Sequence, residues 1–229
     1  MFRFIFVVLF GVCLSTASWA QIGVSAHYLN GEADKWDVSP SSTLAGVIEM
    51  PGSGWQAGLD YWFRLKNLRI EFLPTLAVSQ QEKDLITNVK SEMRAYHLFI
   101  NTNFYLFDFK GDCDCPTFSK QGPSLQKGVF LQLSPGYSVF NYTVLDSEAG
   151  FSVKNDDSGL SIGLALGLDL GLSDFVTISP IIGARYYPTV EWEALALDTI
   201  FTFPATPAEA ESSLLQYTAG IRLGFRFDQ

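Results

Sequence analysis

The chain has 229 residues, 15 Lys and Arg against 24 Asp and Glu, and a formal net charge of −9; 48% of its residues are hydrophobic. The acidic balance excludes nucleic acid as a partner, because a phosphate backbone is bound by a basic surface. The length suits a single domain of ordinary size.

Residues 1–20, MFRFIFVVLFGVCLSTASWA, join one basic residue, Arg3, to an apolar run from Phe4 to Leu14 and a small-residue end, Ser18-Trp19-Ala20. This is the pattern of a secretory signal peptide, with cleavage expected after Ala20. The run is too short for a membrane-spanning helix, which needs about 20 residues. Cys13 follows Val12, where a lipid-attachment signal would carry a small residue, so it is expected to leave with the signal. The expected mature domain, 21–229, has 14 basic and 24 acidic residues, a net charge of −10. No later run is long enough for an apolar helix, so any insertion into a membrane has to be by strands.

Alternation with a period of two then recurs along the chain, which is the signature of strands exposed differently on their two faces. The segment 22–29, IGVSAHYL, is a weak instance. In 55–65, Trp55, Ala57, Leu59, Tyr61, Phe63 and Leu65 oppose Gln56, Gly58, Asp60, Trp62 and Arg64, with Trp62 the interruption. In 68–78, Leu68, Ile70, Phe72, Leu76 and Val78 oppose Arg69, Glu71 and Thr75. The segment 94–106 sets Tyr96, Leu98, Ile100, Phe104 and Leu106 against His97, Asn101 and Asn103, and 128–140 continues in the same way.

The clearest case is 159–172, GLSIGLALGLDLGL, with Leu or Ile at every second position and Gly, Ser, Ala or Asp between them. A helix would scatter these leucines around its circumference, and each glycine in its interior would cost about 1 kcal/mol relative to Ala. The segments 176–186 and 215–227 complete a set of eight strands, an even number that suits a closed antiparallel barrel. Links after odd-numbered strands are read as 31–54, 80–93, 141–158 and 188–213. Two of the three links after even-numbered strands are tight turns, and the third, 107–127, is long. Short turns at one end and long loops at the other characterise outer-membrane barrels.

Alternation alone does not say which face is outside, and a soluble barrel would turn its leucines inward. The polar face is rich in small residues, which a narrow interior requires, and the apolar face carries Leu and aromatic residues as a lipid-facing band does. The polar face also holds both signs of charge: Asp60, Arg64, Arg69, Glu71, Asp169, Arg185, Arg222 and Arg226, together with His97. These nine residues are expected to form a polar network inside the barrel.

The end of the chain, GIRLGFRF at 220–227, resembles the terminal strand signal read by the bacterial outer-membrane assembly machinery. Its residues here are Gly220, Leu223, Phe225 and Phe227, and Asp228-Gln229 follow where many family members end on the aromatic residue. With the eight strands, nearly the whole expected mature chain resembles the small outer-membrane β-barrel proteins of the OmpA and OmpX type. The resemblance implies an all-β, eight-stranded, up-and-down transmembrane barrel, partnered by outer-membrane lipid and the assembly machinery. It implies a structural, adhesive or protective role.

Candidate chemistry is sparse. Cys113 and Cys115, in KGDCDCPTFSKQG, would lie in an oxidising compartment, where they are a possible disulfide. Positions two apart need a bent backbone to bridge, however, and inert thiols, a docking or redox contact and a metal site remain open alternatives. Outer-membrane lipid A deacylases resemble a His-x-Ser pattern on the lipid side. Here the residues are His97-Leu98-Phe99 with His97 on the interior face, and His27 shares that face. No phosphate loop or nucleophile elbow is present.

No catalytic residue, metal or cofactor is therefore expected. The expected protein is a monomeric outer-membrane barrel whose loops carry a structural or interactive role toward an unknown extracellular ligand or surface. The segment 191–211, with five acidic residues and no basic one, is one such loop. The rival readings are a lipid-modifying enzyme, a narrow channel, and a soluble lipid-binding barrel with its leucines inside.

Overall fold

The computed structural model describes residues 21–36, 48–64, 70–86, 89–107, 128–146, 150–173, 175–196 and 209–226. Its strands are β1 (Gln21–Ala33), β2 (Pro51–Arg64), β3 (Ile70–Ile86), β4 (Val89–Phe107), β5 (Val129–Asp146), β6 (Phe151–Leu168), β7 (Leu170–Gly171), β8 (Val176–Glu191) and β9 (Glu211–Arg226). The two-residue β7 continues β6 after a break at Asp169, so nine strands make eight staves.

Each stave pairs antiparallel with its neighbours. β1 pairs with both β2 and β9, and β6 with β8, so the sheet closes and has no free edge. Paired residues can be followed once around, through Ser161, Gly136, Phe99, Thr75, Asp60, Gly23, Gly224, Thr177 and Gly171. The circuit starts at 161 and returns to the same stave at 171, a displacement of 10 residues (171 minus 161). That stagger is the shear that tilts the strands of a closed barrel. Every residue on this circuit points inward.

The leucines of GLSIGLALGLDLGL are outside. Leu160 is 70% exposed, and Ile162, Leu164, Leu166 and Leu172 are exposed with it. This overturns the soluble lipid-carrier reading, in which the same leucines would line the interior. The glycines between them face inward, where space is already taken. A side chain at Gly163 would meet the Arg185 guanidinium at 3.0 Å, and one at Gly167 would collide with the Phe130 ring.

The strands run well past the ends expected from sequence. β3 and β4 extend across most of 80–93, β5 and β6 across most of 141–158, and β8 and β9 into 188–213. Alternation continues there with its sense reversed. Outward positions become polar or charged, among them Glu82, Asp84, Lys90, Arg94, Lys154 and Asp156, whereas inward positions become apolar, among them Leu85, Val89, Met93, Tyr142 and Val144. The barrel is thus polar inside and apolar outside over its lower part, and the reverse over its upper part.

The boundary is marked by one outward residue from each stave: Tyr28, Trp55, Val78, Tyr96, Tyr137, Leu160, Tyr186 and Tyr217. Six of the eight are aromatic, as in the girdle at a membrane interface. Along β6 and β7 the apolar face then continues from Leu160 to Leu172. Twelve steps of about 3.3 Å on a strand tilted by about 45° give a band roughly 28 Å tall, close to the hydrocarbon thickness of a bilayer.

Candidate functional site

Above the aromatic row the bore is filled by an apolar cluster that includes Trp36, Met50, Met93, Phe140, Tyr142, Tyr187, Trp192 and Leu214. Trp192 stacks on Tyr142 with ring centres 4.5 Å apart, and Trp36 meets both edge-on. Trp36 and Trp192 follow the ends of β1 and β8. The Trp36 indole N–H donates to the Ala210 carbonyl at 3.1 Å, and the Trp192 backbone N–H donates to the same carbonyl at 2.8 Å. Nearby, Lys35 pairs with Glu209 at 2.7 Å on the surface, and that contact raises the lysine pKa. The two tryptophans therefore cap the bore.

Below the row the interior is polar and layered. In the lowest layer, Arg222 grips Asp60 through two hydrogen bonds, Nε to Oδ2 at 2.8 Å and Nη2 to Oδ1 at 2.5 Å. Both side chains are more than nine-tenths buried, and Gly23 beside them leaves the room that the pair occupies. The Arg222 guanidinium also lies 6.0 Å from the centre of the Trp62 ring, which explains the inward tryptophan in β2. In the same layer the Tyr105 hydroxyl lies 2.7 Å from a Glu71 oxygen and 2.7 Å from an Asp169 oxygen. Ser179 donates to the other oxygen of Asp169.

The structure thus brings Asp60, Glu71, Asp169 and Arg222 into one buried layer. Arg64 and Arg226 stand in β2 and β9, paired in register with Glu71 and Gln21. Arg69 lies outside the described residues, as do Cys113, Cys115 and Phe227. Gly220, Leu223 and Phe225 lie on β9, the stave that closes the barrel against β1.

His97 sits higher, 4% exposed, between two serines. Its Nε2 is 2.8 Å from the Ser79 hydroxyl and its Nδ1 is 2.7 Å from the Ser138 hydroxyl. A serine beside an imidazole is the contact a hydrolase uses. Here the second nitrogen meets a hydroxyl instead of a carboxylate, the ring is stacked on Phe99, and neither serine reaches the lipid-facing side. The arrangement holds the ring in place inside the barrel. No cluster of three or more His, Cys, Asp or Glu able to hold a metal occurs among the described residues.

Sequence reasoning set Ser138 on the polar face without a role and passed over Tyr105, Ser79 and the capping aromatic residues. Tyr105 shares the inward parity of Asn101 and Asn103, and that signal could have found it. Trp36 and Trp192 lie beyond the strands, where parity gives no signal.

No family model and no curated protein matches the chain. Its fold is similar to that of solved outer-membrane barrels. Neisserial surface protein A (NspA) is 12% identical, with 92% of this chain and 97% of that one covered and a TM-score of 0.44. Outer membrane protein OprG from Pseudomonas aeruginosa is 12% identical over 92% and 96%, at 0.49. Ail, the attachment invasion locus protein of Yersinia pestis, is 10% identical over 90% and 99%, at 0.41. At such identities the likeness to small outer-membrane barrels concerns the fold alone, and the strand register carries the assignment here.

Proposed function

We propose that the protein is an integral outer-membrane barrel, plugged at its outer end, that acts as a rigid anchor for surface contacts and performs no catalysis. The observation that carries this reading is the reversal of polarity along the same strands. The lower exterior is an apolar band bounded by an aromatic row, which suits lipid. The upper exterior is polar and encloses an apolar core, which suits water outside the membrane. A bore filled by Trp, Tyr, Phe and Met favours a structural or interactive role over conduction. The reactive-looking Ser79 and His97 are sealed inside, which argues against a lipid-cleaving enzyme.

On this reading the contacts belong to the upper rim, where β1 gives way to β2 and β8 to β9. Two measurements test it. The membrane-extracted protein should migrate differently on a denaturing gel before and after boiling, and should fractionate with outer membranes. Cells in which 37–47 and 197–208 are replaced by Gly-Ser linkers should keep the gel shift and lose surface attachment or serum protection. Wild-type protein in soluble fractions, with no shift, would overturn the membrane reading. Unchanged attachment and protection in the linker variant would overturn the role of the rim.

A further inference from the structure

Between the lower carboxylate layer and the upper apolar plug lies a cavity of about 60 Å³. That is room for several waters or one small ion. Its walls include Arg185, His27, Gln56, Thr75, Asn101 and Ser134, and none of its lining residues is acidic.

Arg185 is 9% exposed and has no carboxylate partner among the described residues. Its Nη1 donates to the Ser134 carbonyl at 3.0 Å and to the Ser161 hydroxyl at 2.9 Å, and its Nη2 donates to the Ser134 hydroxyl at 2.5 Å. Three of its five N–H donors are thereby engaged, all by neutral acceptors, and its guanidinium lies over the Phe99 ring at 3.6 Å. His27 adds a buried Nδ1 with no partner among the described residues. The carboxylates Asp60, Glu71 and Asp169 are each four residues further down their staves than the cavity-lining Gln56, Thr75 and Ala165, about 13 Å along the strand. Asp60 is already committed to Arg222. A buried cation with no counter-charge is costly, and hydrogen bonds to hydroxyls satisfy its donors without neutralising it.

We propose that this cavity is a binding site for one small monovalent inorganic anion of halide size, held by the Arg185 guanidinium and by hydroxyl and amide donors of the walls. The anion neutralises the arginine and is taken up as the barrel closes. Its place in the fold explains why the layer is lined by Ser, Thr, Asn and Gln, which can turn donors toward it, and lacks a carboxylate that would repel it.

The test is to refold the full chain into detergent or lipid in sodium bromide and to collect anomalous diffraction at the bromine edge. The expected result is a bromide peak in the cavity, in contact with Arg185. In solution, replacing gluconate by bromide at constant ionic strength should lower the unfolding equilibrium constant, by about elevenfold at ten times the dissociation constant. Gln56→Glu, which places a carboxylate in the cavity wall, should fold and lose this bromide dependence while keeping any general salt effect. Arg185→Gln, if it folds, should lose it as well. Waters alone in the cavity, a bromide peak only on the outer surface, or equal bromide dependence in wild type and Gln56→Glu would overturn the proposal.

Discussion

The Asp60 and Arg222 side chains meet inside a barrel of narrow bore, where water cannot compensate either one alone. Replacing Asp60 by Asn leaves a buried guanidinium without its charge partner. The expected loss is about 3 to 5 kcal/mol of unfolding free energy, read from urea titration in vesicles. A double-mutant cycle with Arg222→Met should recover part of that loss, because removing both charges is less costly than orphaning one. Tyr105 makes a different contribution. Its single hydroxyl proton serves two acidic side chains, and Tyr105→Phe, which keeps the ring against Phe130, should cost about 1 to 3 kcal/mol in the same titration. Glu71→Ala should also lower the urea midpoint, and its effect should not add to that of Tyr105→Phe, since the two share one contact. An unchanged midpoint in either variant would remove that residue from the network.

Along one strand the two environments follow each other, and substitutions on the outward face should report which is which. Leu166 lies halfway along the apolar face that runs from Leu160 to Leu172, whereas Leu145 is outward on β5 above the aromatic row. Leu166→Arg should therefore cost about 2 to 4 kcal/mol in a bilayer, and Leu145→Arg no more than about 1 kcal/mol. Equal costs would mean that the boundary is misplaced. The lower staves were legible in the sequence because lipid outside and a crowded polar bore inside impose opposite residue types at alternate positions. Trp62 and the glycines of GLSIGLALGLDLGL fitted that rule once Arg222, Arg185 and Phe130 were seen to fill the space beside them. The upper staves were not legible as strands. The polarity of their two faces is reversed, so Glu82, Lys90, Lys154 and Asp156 read as loop residues although they are the watered face of a barrel with an ordinary apolar core.

For the molecule as a whole, described side chains occupy the bore at both levels, the aromatic cap above and the buried ion-pair layer below. The protein should show no single-channel current in planar bilayers, and Trp192→Ala should lose about 3 to 5 kcal/mol of stability through loss of the Tyr142 and Trp36 contacts. The central claim is that each stave passes from lipid to water at the aromatic row. Spin labels placed singly on outward positions of β6 test it most directly, in protein inserted in vesicles and with Cys113 and Cys115 replaced by Ser. Labels at 162, 164 and 166 should be relaxed by oxygen and shielded from a water-soluble nickel reagent, and labels at 154, 156 and 158 should show the opposite. A label at 164 open to the nickel reagent, or no change in preference between 158 and 162, would contradict the account.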